Sequence, residues 1–117
     1  MHQINPYLHY LKQSQKTKLH QSFFAGQPIC EKLLGLIAIE TEAGKPYTVS
    51  EIMRLQNLGS PGTIHRRLEI LRRAGLVDQV FKNGDRRTKY VVPTIVANKH
   101  FKNMGLVLEQ VVFDAYS

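Results

Sequence analysis

The chain has 117 residues, 43% of them hydrophobic, with a formal charge of +7 and a pI near 9.8. That length suits a single domain spanning residues 1–117 and leaves little area for a deep catalytic cleft, while the apolar content excludes wholesale disorder. The basic balance favours a polyanionic partner, and the one cysteine, Cys30, excludes an internal disulfide and a multi-cysteine metal site.

The first residues, MHQINPYLHY, lack the charged start and apolar segment of a secretory signal. The longest apolar run, Leu33 to Ile39, is too short to cross a bilayer. The expected compartment is the cytoplasm, without a membrane partner. Residues 3–25 predict an N-terminal helix with Tyr7, Leu8, Leu11, Leu19, Phe23 and Phe24 as its apolar positions. The polar stretch Lys12 to Lys18 leaves room for a kink or for two short helices. Gly26 and Pro28 punctuate the chain, and proline suits the first turn of a helix because its missing N–H would have no partner there.

The core is expected over residues 29–93. From Ile29 to Glu42, apolar residues cover nearly the whole helical circumference, which predicts a central helix buried from several sides. Thr48-Val49-Ser50-Glu51 fits a capping box and starts a short helix to Asn57, with Ile52, Met53 and Leu55 inward. Leu58-Gly59 makes a turn. Ser60 caps the next helix, Pro61 takes its first position, and Ile64, Leu68 and Leu71 form the buried stripe. Gly75 stops it. Leu76 to Phe81 is rich in strand formers, Asn83-Gly84-Asp85 signals a hairpin, and Thr88 to Val92 returns. Thr94 can cap a last helix over residues 94–116.

That last helix carries Phe101, Met104, Leu108 and Val111 at heptad-like spacing, between Ala97 and Ala115. So narrow a seam on so long a helix points to a second copy of the chain as its cover, with the N-terminal helix of the same chain as the competing cover.

Residues 61–90 hold eight Lys/Arg against three acids, so five of the chain's seven excess positive charges sit in one stretch. With Ile64, Leu68 and Leu71 inward, Gly62, Thr63, His65, Arg66 and Arg67 are left towards the outer face. There arginine can donate to guanine or phosphate, and Ser60 and Thr63 can donate to phosphate. Arg86, Arg87 and Lys89 stand at or beside the hairpin tip, where a narrow minor groove attracts inserted arginine. The expected fold class is therefore mainly α with a small antiparallel β-hairpin wing: a winged helix-turn-helix flanked by N- and C-terminal helices.

The run Thr48–Glu51, then SPGTIHRRLEILRRAGLV, then DRRTKYVVPT resembles the MarR family of winged-helix transcription regulators over roughly residues 29–115. The wing, Asp85-Arg86-Arg87 followed by Pro93-Thr94, is the most specific part of the match. The resemblance makes the N- and C-terminal helices dimerisation helices and implies a homodimer binding double-stranded DNA at a pseudo-palindromic operator, as repressor or activator, with Arg87 reaching the minor groove. The sequence departs from the family in being short, since the family usually has one more helix in the dimer interface.

Rival readings are a winged helix serving replication, partition or chromosome organisation, and a winged helix used as a protein-interaction module. No Gly-rich phosphate loop, nucleophile–base pair or carboxylate pair stands out, so no enzyme is expected. No cofactor is called for. The histidines His2, His9, His20, His65 and His100 are scattered, without metal-ligand spacing. Cys30 reads as a small buried hydrophobe rather than a redox sensor. Tyr7, Tyr10 and Phe23 could line a pocket for a small apolar or aromatic effector or belong to a dimer interface, and the sequence does not separate the two.

Overall fold

Short polar side chains and glycines set most of the element boundaries in the computed structural model, which describes residues 5–117. His2, and the predicted helical start at Gln3 and Ile4, lie outside the described residues. The chain divides into two units, Pro28–Ala97 and Met1–Gln27 with Asn98–Ser117.

The unit Pro28–Ala97 contains α3 (Pro28–Glu42), α4 (Val49–Met53), α5 (Pro61–Arg73), β1 (Val77–Lys82) and β2 (Asp85–Pro93). The other unit contains α1 (Pro6–Ser14), α2 (Lys18–Ser22) and most of α6 (Ile95–Ala115).

The predicted capping box forms: Glu51 N–H donates to Thr48 Oγ1 at 3.1 Å, and Thr48 N–H donates to Glu51 Oε1 at 2.9 Å. After α4 the chain makes a short 3₁₀ turn at Gln56–Leu58 instead of continuing the helix to Asn57. That turn buries Leu58, which the sequence pattern assigned to a connection. At the start of α5, Thr63 N–H donates to Ser60 Oγ at 3.3 Å. At its end Gly75 takes φ +75°, so its N–H reaches Arg72 O and the Leu76 N–H reaches Leu71 O, each at 3.0 Å. These two bonds satisfy carbonyls that a helix end otherwise leaves open. Thr94 then ties the hairpin's end to this corner. Its hydroxyl donates to Gly75 O at 2.7 Å and accepts the Ala97 N–H that opens α6.

The core of this unit gathers Leu33, Leu34 and Ile37 of α3, Ile52 of α4, the α5 stripe Ile64, Leu68 and Leu71, and Leu76, Val77 and Val91 of the hairpin. Each such side chain contributes about 1.5–3 kcal/mol of transfer free energy. Burial of α3 is less complete than its composition suggests. Its partners here, α5 and β2, cover the Leu33–Leu34–Ile37 side, while Ile39 stays 62% exposed.

β1 and β2 form a two-stranded antiparallel sheet with Val77 opposite Pro93, Gln79 opposite Val91 and Phe81 opposite Lys89. The register then jumps. Lys82 pairs with Asp85, so Arg86, Arg87 and Thr88 have no counterpart on β1. A third segment joins β2, with Thr48 bridging Tyr90 and the Val91 N–H donating to Tyr47 O at 2.8 Å. The element order, a helix-turn-helix of α4 and α5 supported by α3 and followed at once by a hairpin, is that of a winged helix.

In the unit of Met1–Gln27 and Asn98–Ser117, the predicted N-terminal helix is broken. Ser14 Oγ donates to Leu11 O, and Thr17 Oγ1 donates to Ser14 O while accepting the His20 N–H. Hydroxyls that compete for helical carbonyls in this way end α1 and cap α2. Asn5 and Pro6 open α1: Asn5 Oδ1 accepts the N–H groups of Tyr7 and Leu8. Phe24 is buried, with its ring 5.4 Å from that of His100, which lies 5.7 Å from Phe101. His9 Nε2 comes within 3.5 Å of Asp114 Oδ2, which joins α1 to the end of α6.

Candidate nucleic-acid interface

The α5 stripe that is buried fixes by elimination what is offered outwards. Gly62, His65 and Arg66 are exposed, and Ser60 and Thr63 stand at the helix start. The two hydroxyls lie 3.0 Å apart, and one donates to the other. Since Ser60 Oγ also accepts the Thr63 N–H, the pair keeps one O–H for a ligand at the helix N-terminus. That end of a helix carries positive potential suited to an anion.

Gly62 has a further property. A Cβ placed there would meet nothing within 4 Å, and its φ is not positive. Neither packing nor backbone conformation requires glycine at a helical position where alanine is about 1 kcal/mol more favourable.

Arg67 is placed apart from this face. It is half-buried, and its carbonyl oxygen accepts the Cys30 thiol at 3.7 Å. One residue is a 100° rotation on a helix, which is enough to carry Arg67 from the outer surface to the flank against α3.

Burial pushes the Cys30 thiol up from its usual range, and the nearby Arg67 charge opposes this only in part. Cys30 is expected to react with a disulfide reagent at pH 7 far more slowly in the folded protein than in urea, because the thiolate is the reactive form and the sulfur is enclosed. Equal rates in the two conditions would restore a sensor role.

On the hairpin, Arg86, Arg87 and Lys89 are all exposed, with the Arg87 side chain at 97%. Asn83 and Gly84 make the turn, and only Gly84 has positive φ, at +78°. Asp85 holds the backbone more firmly than it holds a guanidinium: its Oδ1 accepts the Arg87 N–H at 2.8 Å, while Arg87 Nε is 4.0 Å away. The carboxylate thus replaces the ladder partner that the register jump removes. Lys82 Nζ lies 4.5 Å over the Tyr90 ring, a contact that no local sequence pattern signals, and it steadies the other side of the tip.

At the end of α5, Glu69 accepts Arg72 Nε at 3.0 Å and Arg72 Nη2 at 2.5 Å, and Arg73 Nε lies 3.4 Å from it. These guanidinium groups hold the Glu69 carboxyl well below the usual carboxylate range, at about 2.

The four seam residues of α6 are not equivalent. Val111 is buried, Phe101 and Met104 are half-buried, and Leu108 is 51% exposed. Val112 extends the exposed apolar surface beside Leu108, while Leu106 and Phe113, seven residues apart, form a second exposed strip on the opposite side of the helix. A cavity of about 250 Å³ is lined by His9, Gln13, Val107, Gln110, Val111 and Asp114, a set without Tyr7, Tyr10 or Phe23. Among the described residues no group of three His, Cys, Asp or Glu side chains could hold a metal ion, and no helix is long and apolar enough to cross a membrane.

No protein-family model matches the chain, and no curated protein matches it. Solved structures do match it. The chain is similar to the heme sensor protein PefR from Streptococcus agalactiae, solved in complex with heme, at 17% identity and a TM-score of 0.52; the match covers 90% of this chain and 65% of that one. This chain thus spans about 65% of PefR's length. A transcriptional regulator homologue from Pyrococcus horikoshii OT3 matches at 24% identity over 90% of this chain and 95% of that one, with a TM-score of 0.48. At 17% identity the likeness to PefR is one of fold, mainly helical with a two-stranded antiparallel wing.

Proposed function

We propose that the chain is a sequence-specific, double-stranded DNA-binding transcriptional regulator of MarR type, non-enzymatic and cytoplasmic. In this reading α5 enters the major groove through Gly62, Thr63, His65 and Arg66, and the wing carries Arg86 and Arg87 to the minor groove. Ser60 and Lys89 serve adjacent phosphates, and Arg67 supports α5 from its flank. The observation that carries the reading is that one unit, Pro28–Ala97, presents both exposed basic elements while the opposite face of α5 is locked into the core. Gly62 supports it too, because a glycine that its own protein does not require suits a helix start that must come close to base edges.

Dimerisation belongs to the same reading. Leu108 and Val112 give α6 an exposed apolar surface beside Phe101, Met104 and Val111, and a second copy is the proposed cover. Two reading units related by a two-fold axis would recognise a pseudo-palindrome with half-sites about one helical turn apart.

Footprinting on fragments flanking the protein's own coding region tests this, alongside light scattering at micromolar concentration. The expected result is one protected two-fold site and a dimeric mass. Protection without sequence preference would favour an architectural role on DNA, and a monomer would remove the dimer.

A further inference from the structure

The outer face of α5 does not end at Arg66. Residues seven apart return to the same side of a helix, so Arg73 follows Arg66 and Arg72 follows His65, about 10 Å further along. The major groove is about 12 Å wide, so guanidinium groups at that distance from a base contact come level with the phosphates bordering it. Arg72 and Arg73 would be expected to bind them. Glu69 stands between, on the same face, and already holds Arg72 by two bonds and Arg73 by one. All three side chains are at or near the surface, at 35% exposure for Glu69 and 51% and 78% for the arginines, so no packing demand explains an acid in the middle of a basic face.

Resting on the DNA-binding reading above, we propose that Glu69 acts as a built-in competitor for phosphate: it occupies the two arginines at the end of the reading helix and so limits affinity for DNA of arbitrary sequence. A phosphate approaching Arg72 must displace a two-bonded carboxylate and then lie beside its negative charge. The N-terminal half of α5 is thereby left to supply the discrimination. Such restraint has a purpose, since a regulator's effective selectivity is its ratio of specific to non-specific affinity against a vast excess of non-specific sites. Glu69 is a positioning residue in this scheme. It touches no base, and it works by withholding two contacts.

The test uses the full chain and a random-sequence duplex, with affinity measured by fluorescence anisotropy between 50 and 200 mM salt. Each phosphate neutralised adds about 0.9 to the slope of log affinity against log salt. The Glu69→Gln variant is expected to steepen that slope by about one to two, so that the affinity lost across this salt range grows roughly threefold for each contact released. The Arg72→Gln/Arg73→Gln double variant, with Glu69 in place, should keep the wild-type slope. Adding Glu69→Gln to the double variant should leave it there, which separates release of the arginines from loss of one negative charge. A wild-type slope in Glu69→Gln, or a slope flattened by nearly two in the double variant, overturns the proposal while leaving DNA binding intact. Absence of any wild-type binding at low salt overturns the DNA-binding reading itself, and this inference with it.

Discussion

Replacing Arg87 by alanine is expected to weaken binding to the specific duplex by about 1–3 kcal/mol, on the order of tenfold to a hundredfold. The same change should leave urea unfolding within about 0.5 kcal/mol of wild type. The first half rests on the proposed wing contact, and the second follows from the structure. The Arg87 side chain is almost wholly in solvent, and among the described residues its charge partner is Asp85 at 4.0 Å, an exposed pair that contributes little to stability. What holds this residue in place is the bond from its backbone N–H to Asp85 Oδ1, and alanine keeps that bond. An operator affinity equal to wild type, measured on folded protein, would remove the wing from the binding surface.

Ile64→Ala should do the reverse. Ile64 is fully buried on the inner stripe of α5, and truncating such a side chain typically costs about 2–5 kcal/mol, part in lost transfer free energy and part in the cavity left behind. Against a total stability of about 5–15 kcal/mol, that is a large fraction. The urea midpoint should fall sharply with its slope unchanged, and DNA affinity should fall only as far as the folded population does. A loss below about 1 kcal/mol would mean that α5 is anchored elsewhere. In the proposed reading, Arg87 and Ile64 thus divide recognition from support within one unit.

The parts of this fold that were legible in the sequence are those coded by neighbouring residues. Ser60, Pro61, the stripe of Ile64, Leu68 and Leu71, and Gly75 describe a helix completely, because a cap, a first-turn proline, a 3.6-residue period and a left-handed stop all act within one or two turns. The hairpin was legible for the same reason. What escaped depended on residues far apart in the chain. Arg66 and Arg67 look alike as neighbours, and their difference, Arg66 exposed and Arg67 half-buried, is set by the packing of the distant α3 against α5. The spacing of Phe101, Met104, Leu108 and Val111 signals a covered seam, but period alone does not say which of them the chain covers for itself. Burial answers that: Val111 is enclosed within its own unit and Leu108 is not. The contact of His9 with Asp114 joins positions near opposite ends of the sequence, and no local pattern announces it.

The register jump in the hairpin has a consequence for how such a protein can change. Below the jump, Val77 to Phe81 and Lys89 to Pro93 are held in step by the burial of Val77 and Val91, and a slip of one residue would turn those side chains out of the core. Above it, Arg86 to Thr88 answer to no residue on β1, so chain length there is decoupled from alternation below. The tip is in effect an interchangeable cassette seated on a fixed socket. Residues can be gained, lost or exchanged within it, altering the reach and charge of the wing, while the fold beneath pairs as before.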